Sequence, residues 1–196
     1  MMSISLREQL LAESDRSERV QILFDYLTQH GDEHYEEDVT QMQHALQAAW
    51  LGRSAGQDAH LVTAALLHDI GHIIADDPEH RNNPTVQNDK HETLAAACLE
   101  GIFPHRVLEP IQLHVVSKRY LCTVRPAYYQ NLSEASQKSF HLQGGKMSEE
   151  EQRAFRAHPY YQQALLLRTW DDQAKDITLE VPALETYTAT VQDAML

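Results

Sequence analysis

Leu61-Val62 and Ala64 to Leu67 are apolar on every side of a helical wheel, inside a segment, Ala59 to Ile70, that carries no charge before its last turn. A helix that is apolar all round must be enclosed by other elements, so this stretch predicts the centre of a helical domain. Asp58 is placed to cap its N-terminus and Gly71 to end it. The end of that helix is where chemistry enters. Leu66-Leu67-His68-Asp69-Ile70-Gly71-His72 sets two histidines and an aspartate in surroundings where an unpaired carboxylate or imidazolium is costly, so these groups must meet partners, a metal or each other.

The rest of the chain supplies helices to surround that centre. Val20, Leu23, Phe24 and Leu27 follow the i, i+3, i+4, i+7 spacing behind the start signals Ser14 and Asp15, and Gly31 stands where a left-handed cap is expected. A helix from about Asp38 to Gly52 carries Val39, Met42, Leu46 and Trp50 on one side and His44, Ala48 and Leu51 on nearly the opposite one, which predicts burial on two faces. Ala75 to Lys90 is rich in turn formers and reads as a lid-like loop. His91, Leu94, Ala95, Cys98, Leu99 and Ile102 then form a core-facing stripe headed by His91. Pro104 and Pro110 punctuate the next segment, the second read as a first-turn proline, after which Ile111, His114 and Lys118 share a face. Ser133 starts a helix that closes at Gly144-Gly145, and Ser148 to Glu151 is a capping-box pattern. Pro159 suits the first turn of a helix in which Tyr161, Ala164, Leu165, Arg168 and Asp171 or Asp172 recur on one side. The tail from Ile177 reads as irregular. The expected fold is all-α, a helical bundle with one domain over residues 1–196.

Charge narrows the partners. Sixteen Lys plus Arg against 29 Asp plus Glu give a net charge of −13, which argues against a protein that tracks nucleic-acid phosphates on a basic face. An anionic small substrate would need a local exception to this acidity. The longest apolar runs fall far short of the ~20 residues of a membrane span, and the start shows no signal-peptide pattern, so a cytoplasmic location without membrane contact is expected. Cys98 and Cys122 sit among apolar neighbours and read as buried, reduced thiols.

Twelve histidines form no tag-like run and require an explanation. His44, His91 and His114 each take an inward position on a separate helix, and Asp171 does so on another. With His68 and Asp69 they make four imidazoles and two carboxylates converging on one core, which is how helical proteins build a dinuclear metal centre.

These six residues match the metal-ligand signature of the HD-domain superfamily, in its dinuclear form. More specifically, four stretches resemble the mixed-valent di-iron oxygenases that cleave 1-hydroxyphosphonates. They are His68 to His72; His114-Val115-Val116-Ser117-Lys118-Arg119-Tyr120-Leu121; Asn131 to Ser136 with Gln143-Gly144-Gly145; and Arg168-Thr169-Trp170-Asp171. The likeness spans about residues 38–176. It implies that His44, His68 and Asp171 hold one iron and His91 and His114 the other, with Asp69 bridging an Fe(II)/Fe(III) pair and O2 as co-substrate. The residue types agree, since imidazole suits iron and a shared carboxylate can span two cations about 3.5–4 Å apart. Zinc or manganese would also suit these ligand types.

The resemblance further implies a phosphonate pocket in which His72 and Lys118 serve catalysis and, with Ser136 and Arg168, bind the anion. Lys118 lies one turn beyond His114 and Arg168 three residues before Asp171, so both cations should flank the metals. Ahead of His44 the family carries a Tyr-x-x-Glu element. Here the segment reads Glu33-His34-Tyr35-Glu36-Glu37-Asp38, so the residue three beyond Tyr35 is Asp38, while Glu37 keeps a glutamate nearby. Tyr35, Glu37 and Asp38 are therefore candidate contacts for the substrate's far end, and which acid covers the second iron is open. A tyrosine face with carboxylates suits a quaternary ammonium. The expected reaction is oxygen-dependent conversion of (R)-1-hydroxy-2-(trimethylammonio)ethylphosphonate to glycine betaine and phosphate. The alternatives are the unmethylated 2-amino-1-hydroxyethylphosphonate, giving glycine and phosphate, or metal-dependent phosphate-ester hydrolysis. A metal- or metabolite-binding sensor is a third class, disfavoured because all six ligands are present. The oligomeric state is not legible.

Overall fold

A computed structural model describes residues 5–32, 38–76 and 90–196. Its helices are α1 (Leu6–Ala12), α2 (Arg16–His30), α3 (Gln41–Ser54), α4 (Ala59–Leu67), α5 (Ile70–Asp76), α6 (His91–Leu99), α7 (His105–Val124), α8 (Pro126–Gln130), α9 (Glu134–Leu142), α10 (Glu149–Ala157), α11 (Tyr161–Gln173) and α12 (Thr188–Ala194), the last preceded by a 3-10 turn, Leu184–Tyr187. Among the described residues no strand forms, and an isolated bridge joins Glu100 to Phe103. The fold is all-α.

Helix α4 is the centre, as its uniform apolarity predicts. Every residue from Leu61 to Leu67 is buried, and α3, α7, α11 and α12 pack around it. Burial of side chains such as Leu66 and Leu67 contributes about 1.5–3 kcal/mol each, which anchors the turn that comes after them. Asp58 caps α4 by accepting the Leu61 N–H. The helix stops at Leu67, and His68 and Asp69 lie in the break before α5.

Two glycines act through close approach. Gly31 ends α2 with φ of −84°, so the left-handed cap expected there does not form; a Cβ would meet the Leu27 carbonyl oxygen at 2.5 Å and the Met42 Cβ at 3.1 Å. Gly71 does not end a helix but lies inside α5, where a Cβ would stand 1.9 Å from the His91 carbonyl oxygen. That contact lets the backbones of α5 and α6 touch and brings His91 beside Asp69.

Other boundaries differ from expectation. Pro110 sits in the interior of the 20-residue α7, where it is buried and its ring replaces one backbone N–H without ending the helix. The tail contains α12, whose Val191 and Ala194 are buried where that helix packs on α4 and α2. Helix α1 has a full capping box between Ser5 and Glu8, a signal present in the sequence. Most of the expected lid, residues 77–89, lies outside the described residues. A second small cluster, Cys122, Leu132 and Phe140, backed by Tyr128 and Tyr129, ties α9 to the C-terminal end of α7. Both cysteines are free and buried, and burial pushes the Cys98 thiol up to about 12. Among the described residues no helix is long and apolar enough to cross a membrane.

Candidate metal centre and the cavity beside it

Six side chains from five parts of the bundle meet at one point. His44 comes from α3, His68 and Asp69 from the break between α4 and α5, His91 from the first position of α6, His114 from α7 and Asp171 from α11. Asp69 is the hub. Its Oδ2 lies 3.5 Å from His44 Nε2 and 3.4 Å from His68 Nε2, while its Oδ1 lies 3.6 Å from His91 Nε2 and 3.5 Å from His114 Nε2. Within each pair the Nε2 atoms are 3.2 Å apart for His44 and His68 and 3.0 Å apart for His91 and His114. Asp171 joins the first pair, with Oδ1 3.5 Å from His44 Nε2 and Oδ2 3.9 Å from His68 Nε2.

The hydrogen bonds behind the rings say what this arrangement can bind. The Nδ1 atoms of His44, His68 and His114 lie 2.8, 2.8 and 2.7 Å from the carbonyl oxygens of Ala174, Ala65 and Ile111. A carbonyl only accepts, so each Nδ1 carries a proton, and in the neutral form of the ring the Nε2 lone pair points at the centre. Lone pairs facing each other at such distances repel unless a proton or a cation lies between them. Two donor atoms each about 2.1 Å from a cation stand about 3.0 Å apart at right angles and about 3.4 Å apart in a tetrahedron. The separations here have that size, so His44, His68, Asp69 and Asp171 could hold one cation, and Asp69, His91 and His114 another.

Electrostatics favour the ligating forms. Burial pushes His114 down to about 4 and His91 well below the usual histidine range, so both rings are neutral near pH 7. Burial is the largest influence on Asp69 and Asp171 and opposes their ionisation, but it is outweighed jointly by the surrounding histidines at Asp69, and by the Arg168 guanidinium with His68 and His44 at Asp171, so both carboxyls fall below the usual range. His44 moves the other way, since the Asp69 bond and the Asp171 charge overcome its burial. A cation bound there would take the place of that proton.

The centre opens into a cavity of about 330 Å³ whose wall carries Lys118, Lys138, Arg168 and Lys175, a positive patch on an acidic chain. Lys118 is buried, its Nζ donates to Ser139 Oγ at 2.6 Å, and burial brings its pKa down to about 8. Ser136 is buried on the wall and accepts from Lys175 Nζ at 3.2 Å. His72 lines the cavity and stacks on His91, ring centroids 3.9 Å apart and planes at 18°. Arg168 reaches the wall while engaged on three sides: Nη1 donates to Asp171 Oδ2 at 2.6 Å, Nη2 to Asp172, and Nε to the Tyr128 hydroxyl at 3.2 Å.

Asp38 is exposed, and Val39, Thr40 and Gln41 line the cavity in its place. Tyr35 and Glu37 lie outside the described residues. Sequence reasoning assigns no role to Lys138, Lys175, Ser139 or Tyr128. Lys175 comes four residues after Asp171, the same step that singles out Lys118 after His114, and Ser139 comes one turn after Ser136, so both carry a usable signal. Tyr128 carries none, because its partner Asp172 is distant in sequence.

A family model described as "HD domain" matches residues 42–157, more than half of the chain. The chain is 43% identical over 194 residues to the hydroxymethylphosphonate dioxygenase of Gimesia maris, covering 99% of this chain and 96% of that protein. It is 35% identical over 179 residues to the [1-hydroxy-2-(trimethylamino)ethyl]phosphonate dioxygenase (glycine-betaine-forming) of Leisingera caerulea, covering 91% of each. The chain belongs to the HD-domain phosphonate oxygenase family.

Proposed function

We propose that this chain is a di-iron oxygenase that cleaves the C–P bond of a small 1-hydroxyphosphonate, with hydroxymethylphosphonate the favoured substrate. The observation that carries this reading is Asp69, whose two oxygens face two separate imidazole pairs at the floor of a cationic cavity. Two irons held by these residues, as an Fe(II)/Fe(III) pair, would activate O2, the oxidant that takes the electrons of the reaction. Atoms and charge balance for hydroxymethylphosphonate: one substrate dianion and one O2 give formate, hydrogen phosphate and one proton.

The chain's own residues supply placement and charge. Lys118 presents a buried ammonium to the phosphonate, Ser136 and His72 add donors, and Lys175 stands behind Ser136. Arg168 adds positive potential and holds Asp171 in place. The far end of the substrate decides between candidates. Among the described residues four cations, Lys118, Lys138, Arg168 and Lys175, line the cavity wall. A quaternary ammonium beside three lysines would be repelled, which favours a substrate without an amine over the trimethylammonio compound. The 43% identity to a hydroxymethylphosphonate dioxygenase points the same way.

The test is phosphate release by the iron-loaded, ascorbate-reduced protein, in air and under argon. The substrates compared are hydroxymethylphosphonate, its trimethylammonioethyl and aminoethyl analogues and a phosphate ester. The expected result is oxygen-dependent release with the highest kcat/KM for hydroxymethylphosphonate. Highest kcat/KM for the trimethylammonio compound would restore the glycine-betaine reaction, and release from the ester alone would make the chain a phosphohydrolase.

A further inference from the structure

We infer that Glu92 is a positioning residue for the half of the centre built on His91 and His114, supplying from behind His91 the negative charge that the other half receives directly from Asp171. This role rests on the dinuclear reading of the site.

The four imidazoles are not held alike. His44, His68 and His114 each donate Nδ1–H to a neutral carbonyl oxygen, and for His68 and His114 that carbonyl lies three residues earlier in the chain. His91 opens α6, and the group facing its Nδ1 is the carboxylate of Glu92, with Oε2 at 3.5 Å. Among the described residues this is the one ion pair that the Glu92 carboxylate makes. Glu92 is 5% exposed. An acid that merely complemented the N-terminal dipole of α6 would sit in water, whereas burying a carboxylate without a direct lysine or arginine partner demands a stronger reason.

Charge around the two cation positions supplies that reason. The His44 and His68 position has Asp171 as a carboxylate of its own and shares Asp69, while among the described residues the His91 and His114 position has only its share of Asp69. A carboxylate against the outer nitrogen of a ligating histidine fixes the ring with Nδ1 protonated and makes Nε2 a stronger donor. Glu92 therefore adds, one ring removed, a negative charge to the half of the centre that among the described residues has no carboxylate besides Asp69. The stacked His72 and the Gly71 contact hold the same imidazole from its face and its backbone, so His91 is fixed on three sides.

The test uses the full chain and ferrous iron under argon. Wild type, Glu92→Gln and Glu92→Leu are loaded, dialysed against graded concentrations of a ferrous chelator, and analysed for iron per chain; the metal-free proteins are melted in parallel. Wild type is expected to retain two irons. Both variants are expected to release one iron at roughly 10–100-fold less chelator while keeping the second as tightly as wild type. Their metal-free forms are expected to melt no lower than wild type, because they no longer bury that carboxylate. Retention of both irons at wild-type chelator concentrations would overturn the inference, as would loss of both irons together or a metal-free melting temperature that falls in step with iron loss. A wild-type chain that never binds two irons would overturn this role and the dinuclear reading alike. One that binds two but releases no phosphate from phosphonates would remove the proposed reaction and leave Glu92 standing.

Discussion

Arg168 Nη1 lies 2.6 Å from Asp171 Oδ2, three residues along the same helix, and both side chains are buried. The same guanidinium pairs with Asp172 and receives the Tyr128 hydroxyl against its Nε, while that hydroxyl donates to Asp172. The cation at the back of the cavity is thus part of the scaffold that aims Asp171 at His44 and His68, in addition to its place on the wall.

Removing Arg168 should therefore do more than weaken substrate binding. Arg168→Ala leaves Asp171 and Asp172 without their cation in a buried site, and breaking such a pair costs about 3–5 kcal/mol. Chemical denaturation of the metal-free variant should show a loss of that size. Arg168→Lys should lie between it and wild type, since one ammonium cannot reproduce the fork to both carboxylates.

Lys118 gives the account a pH signature. Burial lowers its pKa to about 8, so the ammonium is present below that pH and lost above it. Phosphonate binding should need the charged form, and kcat/KM should fall as pH rises through about 8. In Lys118→Arg, whose side chain stays charged, that alkaline limb should be absent whatever the starting value of kcat/KM. A wild-type profile flat to about pH 9.5, well beyond that pKa, would remove Lys118 from anion binding.

Gly71→Ala should act at a distance from any substrate contact. The new Cβ would meet the His91 carbonyl oxygen at 1.9 Å, and neither backbone can yield without moving α6. Overpacking of this kind costs about 1–3 kcal/mol, and here it also carries His91 away from Asp69. Iron content per chain should drop together with the melting temperature.

The fold is legible where one periodicity dominates. The apolar Leu61 to Leu67 run identifies the central helix, and the stripe from His91 to Ile102 identifies α6. Where a residue type has two physical uses, the sequence misleads. Gly71 reads as a helix end because glycine tolerates left-handed backbone, whereas it lies inside α5 and makes room for the His91 backbone; Gly31 does end α2, but without the left-handed φ. Pro110 reads as a helix start because its ring fits there, while burial in α7 keeps it in the interior. The ligand-type residues can be found because they take inward positions on five separate parts of the chain, and the structure brings His44, His68, Asp69, His91, His114 and Asp171 to one point. Their hydrogen-bonded supports from elsewhere in the chain cannot, since Ala174 and Tyr128 meet their partners only after folding. Glu92 is hidden by its type, because an acid in a first helical turn is ordinarily a solvated one.

The two aspartates of the centre should differ in what their loss removes. Asp69→Asn deprives both cation positions of their shared carboxylate, and iron should fall from two per chain to fewer than one. Asp171→Asn touches only the His44 and His68 position, so one iron should remain on His91, His114 and Asp69. Elemental analysis after gel filtration distinguishes the two patterns.

The central claim is that the bridged centre and the lysine-lined cavity together couple oxygen use to C–P cleavage. The most direct measurement tracks dissolved oxygen and phosphate simultaneously while iron-loaded, reduced protein turns over hydroxymethylphosphonate. The account predicts equal amounts of O2 consumed and phosphate formed, with formate matching both, and no phosphate under argon. Phosphate released without oxygen consumption, or oxygen consumed without phosphate, would contradict it.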